Sequence, residues 1–327
     1  MFGLLLTAFL TRDCLEELKT KFEELKTNQS KEYEIRPGDE SQLLVGTNKD
    51  QAFLVLHGFL ASPWEVETLS KALNEKGYTV ASPLVSGWGS DAKTANKSTY
   101  KDWLKSAQVP LELLKSCYPK IGIAGFSMGA AIATILLSED EKAPNWLSNL
   151  TLLSPALRLH PSLQKMTELS AAGRILPSIP LSVLQQPGEL LGDSHDLDVP
   201  LQFREHYTQD MPLKSLITAE LLIRRDYLIR PKLKFLEKIP VSVIWSDYEK
   251  TIDGKVSVEY FKKLSKKVKV CRISAEHETR HQILVNYRNT QFEKILQISL
   301  DASLRDGSKE AASEDVKSWE FCPFEPK

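Results

Sequence analysis

The sequence predicts an α/β fold in which a mostly parallel sheet is covered by helices on both faces. Short apolar or β-branched runs alternate with helical stretches, which is typical of parallel strands joined by crossover helices. The runs are apolar throughout, as expected for strands that are buried on both faces. The predicted strands are Ala52–His57, Tyr78–Ser82, Lys120–Ala124, Leu150–Ser154, Val241–Trp245 and Val268–Ile273, and the predicted helices are Pro63–Lys76, Thr99–Cys117, Met128–Ser138 and Lys255–Lys266.

The alternation of strands and helices stops between residues 156 and 238, a stretch with seven prolines and no strong strand pattern. A segment of this length is too long for a simple loop, so it should contain helices of its own. We expect it to be a helical cap inserted over one end of the sheet, with an apolar pocket lined by Ile175–Leu176, Leu190–Leu191 and Leu221–Ile223. The α/β core then comprises residues 31–155 and 239–300, and the charged stretch 301–327 is expected to be a flexible tail.

The N-terminal segment is apolar over Met1–Leu10 but is shorter than the about 20 residues needed to cross a bilayer. Apolar residues then recur at helical spacing among charged ones, which predicts an amphipathic helix over residues 1–30. This helix would pack on the protein body or make peripheral contact with a membrane, and a degenerate export signal is an alternative. The recurring residues are Leu15, Leu18, Phe22 and Leu25.

The charge balance indicates which kind of partner the protein binds, and the cysteines indicate its redox compartment. The 327 residues include 42 Lys and Arg against 43 Asp and Glu, so no basic surface for nucleic acid is expected and the predicted partner is a small molecule. The four cysteines lack the spacing of a metal site. Cys117 and Cys271 lie in apolar segments, which predicts buried free thiols and is consistent with a reducing, cytoplasmic location.

The strongest motif is Gly125-Phe126-Ser127-Met128-Gly129, which lies between a predicted strand and a predicted helix. A strand that turns abruptly into a helix places the residue at the bend in a strained conformation, and the flanking glycines relieve the crowding. The hydroxyl group is then presented at the carboxyl edge of the sheet. Ser127 is therefore the predicted nucleophile.

A second motif, His57-Gly58-Phe59, ends the first predicted strand. In acyl transfer, two backbone N–H groups stabilise the negative charge that develops on the carbonyl oxygen. The predicted donors are Met128, which follows the nucleophile, and Phe59. We expect His57 to brace this loop by hydrogen bonds and not to act as a base.

Over roughly residues 50–300 the sequence resembles the α/β-hydrolase superfamily, and most closely its branch of bacterial carboxylesterases, monoacylglycerol lipases and lysophospholipases. The resemblance implies an eight-stranded sheet, a Ser–acid–His triad and no cofactor. Trp88 stands where the family usually has His, and the usual aspartate is absent from its expected place. The motifs that carry the resemblance are Leu56–Phe59, Gly77–Val80, Pro83, Gly87–Ser90, Asp102–Trp103, Gly125–Gly129, His281–Leu284 and Tyr287–Arg288.

The catalytic base should lie on the loop after the last strand, where the sequence offers His277 and His281. His281 precedes the run that follows the catalytic histidine in lysophospholipase-like relatives, so we predict that it is the base and that His277 is a solvated loop residue. The histidines of the cap region are expected to lie at the surface or beside the substrate. These are His160, His195 and His206.

The triad acid should lie just after the strand that begins at Pro240, where the sequence offers three carboxylates. Counting from this proline places Glu249 at the position of the family's aspartate, so we predict Glu249 as the acid. Asp247 follows the end of the predicted strand almost directly, which is early for the turn that carries the acid. Asp253 precedes a helix and suits an N-cap. Both remain alternatives.

The motifs together predict a serine carboxylic ester hydrolase that acts on a small-molecule acyl ester through an acyl-enzyme on Ser127. An acyltransferase, a thioesterase or a peptidase could be built from the same residues. A degenerate hydrolase that serves as a binding module is the alternative from another class.

Overall fold

The computed structural model describes residues 2–138, 145–161, 178–180, 191–264, 268–285, 287 and 289–305, with only the backbone for 2–13 and 225–232. The strands are β1 (Gln42–Leu44), β2 (Gln51–Leu56), β3 (Thr79–Ser82), β4 (Lys120–Phe126), β5 (Leu147–Leu153), β6 (Ser178–Pro180), β7 (Asp210–Pro212), β8 (Val241–Ser246) and β9 (Val268–Ile273). The helices before β5 are α1 (Phe2–Glu32), α2 (Glu67–Glu75), α3 (Ala92–Ala95), α4 (Tyr100–Cys117) and α5 (Met128–Ser138).

The central sheet has seven strands in the order β1-β3-β2-β4-β5-β8-β9. Only the β1–β3 pair is antiparallel, and the other five pairs are parallel. All six predicted strands are present, and the predicted α/β class is confirmed. The resemblance implied a central sheet of eight strands, but among the described residues this sheet has seven. β1 was not predicted, because it is a three-residue edge strand with only half-buried side chains.

Two apolar clusters lie on opposite faces of the sheet, as expected for a sheet covered on both sides. The larger cluster includes residues of α1, α4 and α5, and the smaller includes residues of α2 and of the C-terminal helix Phe292–Ser303. Every residue of α5 is buried. The helix that follows Ser127 is therefore held inside the core, and it fixes the position of that residue.

The segment between β5 and β8 contains the short helix Leu201–Arg204, the helix Leu213–Ile229 and the 3-10 stretch Arg230–Lys238. Its strands β6 and β7 form a separate antiparallel pair that the sequence did not predict. Within the longer helix, Leu222 is buried in the larger core cluster, whereas Leu221 is 46% exposed. Leu191 is buried and Ile223 is half-buried, and the remaining apolar residues expected to line the pocket, Ile175, Leu176 and Leu190, lie outside the described residues.

The apolar stripe of α1 packs against the protein body. Leu18 and Phe22 are buried in the larger cluster, and Leu15 packs against it half-buried. The described part of the chain contains no helix that is both long and apolar enough to span a membrane. Leu15, Leu18 and Phe22 make their apolar contacts within the protein.

The prediction of free thiols is wrong. Cys14 of α1 and Cys117 at the end of α4 form a disulfide, with their Cα atoms 5.6 Å apart, and Cys271 is also disulfide-bonded. The pairing follows from the packing of α1 along α4, which joins cysteines 103 residues apart in sequence. Because disulfides persist in oxidising compartments, the cysteines no longer support a reducing one.

The beginning of the predicted tail is ordered structure. The C-terminal helix runs to Ser303, which is fully buried. Arg305 then donates hydrogen bonds to the Val241 carbonyl and the Ser242 hydroxyl, both at 3.0 Å. Residues 301–305 therefore belong to the core domain, and 306–327 lie outside the described residues.

We predict that the Cys14→Ser/Cys117→Ser double variant loses about 2–5 kcal/mol of unfolding free energy, because the disulfide restricts a long loop in the unfolded chain. Urea denaturation measured by circular dichroism would test this. The single Cys14→Ser variant, which also cannot form this disulfide, should lose a similar amount. An unchanged urea midpoint in the double variant would contradict the prediction.

Candidate active site

Ser127 lies at the sharp bend between β4 and α5 and has a φ of +51°. Left-handed backbone of this kind is costly for a residue with a side chain, so the surrounding structure must hold it in place. A Cβ at Gly125 would lie 2.7 Å from the Ala130 backbone, and one at Gly129 would meet the Leu56 carbonyl. Both positions of the motif therefore require glycine.

His281 follows β9 and faces Ser127. Its Nε2 lies 2.8 Å from the Ser127 Oγ, and its ring centroid lies 5.1 Å from that of Phe126. Ser127 and His281 are only 4% and 5% exposed. The structure thus brings the predicted nucleophile and the predicted base into direct hydrogen-bond contact.

Glu249 lies on the loop after β8, and its Oε2 is 2.5 Å from the His281 Nδ1. A carboxylate accepts hydrogen bonds only, so Nδ1 carries the proton and Nε2 accepts the Ser127 hydroxyl. Burial raises the pKa of Glu249, while the facing His281, the Ile252 N–H and the Ser154 hydroxyl lower it. The three side chains form one continuous chain of hydrogen bonds.

The alternative acids lie elsewhere. The Asp247 carboxylate is 2.5 Å from an Arg272 guanidinium nitrogen. The Asp253 Oδ1 accepts the Val256 N–H at 3.4 Å at the start of the helix Gly254–Leu264, the N-cap position expected for it. Of the three candidate carboxylates, only Glu249 contacts the His281 ring.

His277 was expected to be solvated, but only 3% of it is exposed. It lies in a 3-10 turn directly after β9, and its Nε2 is 3.7 Å from the Glu276 carboxylate. The turn folds its ring into the protein, which spacing in the sequence could not indicate. His281, and not His277, contacts Ser127.

The predicted oxyanion donors, Phe59 and Met128, are on the loop after β2 and at the first residue of α5. Among the described residues, neither N–H makes a backbone hydrogen bond outside helices and strands. His57 is not hydrogen-bonded to Ser127, since both of its ring nitrogens have other partners. Its Nδ1 lies 2.9 Å from the Gly58 carbonyl, and its Nε2 accepts the Val85 N–H at 3.0 Å.

The Phe59 ring is held by two tryptophans. Its centroid lies 4.9 Å from that of Trp88 and 6.2 Å from that of Trp103, with both pairs edge-on. Trp88, which replaces the family's usual histidine, is fully buried. The replacement therefore supplies packing for the loop that carries Phe59.

The histidines between β5 and β8 have different surroundings. His195 is 2% exposed, and burial lowers its pKa to about 4. Its Nδ1 lies 2.7 Å from the Ser194 Oγ, and its Nε2 lies 3.1 Å from the Thr208 carbonyl. The expected surface location is therefore wrong for His195. The His206 ring stacks on Trp64 and contacts a buried aspartate, and the backbone N–H of His160 donates to the Thr251 carbonyl.

Sequence reasoning missed two polar residues near this site. Glu65 is 2% exposed, and its Oε2 accepts the Gly58 N–H at 2.7 Å. Ser154 is fully buried beside Glu249 and has a φ of +42°. Glu65 follows the sequence Ser-Pro-Trp at a helix start, where an exposed carboxylate is the usual expectation. No signal in the sequence distinguishes it from such a residue.

The arrangement can support nucleophilic catalysis. A hydroxyl bonded to an imidazole, itself bonded to a carboxylate, is the geometry by which a serine is activated for attack on a carbonyl carbon. Among the described residues, no group of three or more His, Cys, Asp or Glu side chains is placed to hold a metal ion.

Two characterised proteins resemble part of the chain. A thermostable monoacylglycerol lipase of Bacillus sp. (strain H-257) is 30% identical over 110 residues, which are 34% of this chain and 43% of that protein. A carboxylesterase of Bacillus subtilis (strain 168) is 35% identical over 85 residues, 26% of this chain and 35% of that protein. The matched stretches thus span less than half of either relative.

Similar solved structures cover most of the chain. A structure from work on the metagenome-derived lipolytic enzymes LipS and LipT has a TM-score of 0.65 at 20% identity, over 83% of this chain and 99% of its own. A soluble variant of monoglyceride lipase from Saccharomyces cerevisiae has a TM-score of 0.59 at 16% identity, over 80% of this chain and 91% of the lipase chain. This likeness shows the α/β-hydrolase fold. A family model matches residues 47–287, and the chain belongs to that family, described as "Serine aminopeptidase, S33".

Proposed function

We propose that the protein is a serine carboxylic ester hydrolase that works through an acyl-enzyme on Ser127. The observation that carries the proposal is the chain of hydrogen bonds from Ser127 through His281 to Glu249, at 2.8 Å and 2.5 Å. The named relatives, a monoacylglycerol lipase and a carboxylesterase, support an ester as the substrate.

In the proposed mechanism, the Ser127 Oγ attacks the ester carbonyl carbon while its proton passes to the His281 Nε2. Glu249 stabilises the resulting imidazolium, and the N–H groups of Phe59 and Met128 donate to the oxygen that takes the negative charge. The tetrahedral intermediate then expels the alcohol, which takes the proton from His281. Water hydrolyses the acyl-enzyme through the same steps and restores the serine.

A peptidase is the second candidate, because the family is described as serine aminopeptidase. The same triad can cleave amides, so the residues around Ser127 do not separate the two reactions. A panel of p-nitrophenyl esters of graded acyl length, beside aminoacyl p-nitroanilides, would separate them. We expect turnover of the esters, and turnover of the anilides alone would contradict the proposal.

We predict that Ser127→Ala abolishes ester turnover, with kcat lowered on the order of 10⁶-fold, because no other group replaces the nucleophile. Hydrolysis of p-nitrophenyl acetate and labelling by a fluorophosphonate probe would measure this. The matched control is Ser90→Ala, which removes another buried hydroxyl, one that donates to the Gly87 carbonyl. Near-normal turnover by the Ser127 variant would exclude the acyl-enzyme.

We predict that Glu249→Gln lowers kcat roughly 10⁴-fold, because an amide cannot stabilise the imidazolium and favours the wrong tautomer. Asp247→Asn and Asp253→Asn are the matched controls, and both should retain near-normal kcat since neither carboxylate contacts His281. Steady-state kinetics on one activated ester would compare the three. A large loss of kcat in one of the two controls, with kcat of Glu249→Gln unchanged, would assign the role of the triad acid to that control's aspartate.

A further inference from the structure

Glu65 is a buried carboxylate for which the proposed mechanism has no use. It lies in the 3-10 turn Pro63–Val66, six residues after Phe59, which ends the loop motif, and is 2% exposed. Its Oε2 accepts the Gly58 N–H at 2.7 Å, and His281 and the Tyr207 hydroxyl also face it. Burial raises the pKa of Glu65 to about 7. A carboxylate in such surroundings is costly, so its presence calls for a role.

Gly58, whose N–H donates to Glu65, directly precedes Phe59, a proposed donor of the oxyanion hole. The Nε2 of His57 accepts the Val85 N–H, so its Nδ1 carries the proton and donates to the Gly58 carbonyl at 2.9 Å. In a trans peptide the C=O and the N–H point in opposite directions. Fixing the Gly58 carbonyl therefore also fixes the direction of the Phe59 N–H. Glu65 accepts the Gly58 N–H and so fixes the other peptide of this residue, which joins His57 to Gly58.

The rest of this loop has a backbone that needs external support. Leu60 has a φ of +64°, which is unfavourable for a residue with a side chain. Its carbonyl accepts the Thr208 N–H at 2.7 Å, and the Ser62 hydroxyl donates to Asp39 at 2.6 Å. These bonds hold the loop after Phe59, whereas Glu65 holds the loop before it.

We propose that Glu65 is a positioning residue for the oxyanion hole, whose bond to the Gly58 N–H aligns the Phe59 N–H with the developing negative charge. The proposal rests on the proposed ester hydrolysis. It predicts that Glu65 contributes to the stabilisation of the transition state and little to the binding of the ground-state ester.

The test compares Glu65→Met with Glu65→Gln. Methionine matches the length and suits the burial but offers no strong acceptor for the Gly58 N–H, whereas the glutamine amide oxygen can still accept it. We expect Glu65→Met to lower kcat on p-nitrophenyl acetate about 10- to 100-fold with little change in KM, since a lost oxyanion donor costs about 10²- to 10³-fold. Glu65→Gln should restore most of that loss.

A trifluoromethyl ketone gives a second readout, because Ser127 converts it to a hemiketal whose oxyanion occupies the hole. Its Ki should rise in Glu65→Met by the factor by which kcat falls. The control is Glu67→Met, two residues on, which removes a carboxylate that pairs with Lys71 at 3.0 Å, and it should leave both values unchanged.

A Glu65→Met protein with wild-type kcat would overturn the proposal, and so would a loss of kcat with unchanged ketone binding. If Glu65→Met does not fold, Glu65→Ala takes its place with the same expected losses. A wild-type protein that neither hydrolyses the ester nor reacts with a fluorophosphonate would overturn the proposed function itself. That result is distinct from the first two, which require an active wild-type enzyme.

Discussion

The backbone conformation of Ser127 is the constraint on which the rest of the site depends. Left-handed backbone in a residue with a side chain costs about 1–3 kcal/mol and persists only where neighbours fix it. Here the Ser127 N–H donates to the Leu153 carbonyl at 2.8 Å, and the Ser127 carbonyl accepts the N–H groups of Ala130 and Ala156, both at 3.1 Å. With α5 entirely buried behind it, the bend is tied to β5 and to the core. The bend therefore holds Ser127 at the edge of the sheet, where its Oγ lies 2.8 Å from the His281 Nε2.

The parallel order of the sheet explains why distant residues meet at this bend. β4, β8 and β9 run in the same direction, so the residues after their carboxyl ends reach one edge of the sheet. Ser127 and His281 are 154 residues apart in sequence, and Glu249 and His281 are 32 apart, yet they make consecutive hydrogen bonds. The strands thus fix the starting point of each loop that contributes to the site.

Local patterns were enough to predict six of the seven strands of the central sheet and to place Ser127 at the end of β4. The family resemblance selected His281 after β9 and Glu249 after β8, and the structure brings the three residues together. Contacts between distant segments were not predictable. The disulfide of Cys14 depends on how α1 packs along α4, and the burial of Glu65 depends on the loop that folds over it. The continuation of the last helix into the predicted tail depends on its packing against the core, in which Ala302 and Ser303 are buried.

The residues on either side of His281 extend these constraints to the segment between β5 and β8. Arg280 pairs with Asp193 at 3.1 Å and with Asp196 at 2.5 Å. The Gln282 amide donates to the Leu191 carbonyl and the Ser194 hydroxyl, both at 2.9 Å. Both neighbours of the proposed base thus bind residues 191–196. Because the Tyr207–Thr208 part of the same segment contacts Glu65 and Leu60, this one segment supports both the base loop and the oxyanion loop. A displacement of the segment would disturb both at once.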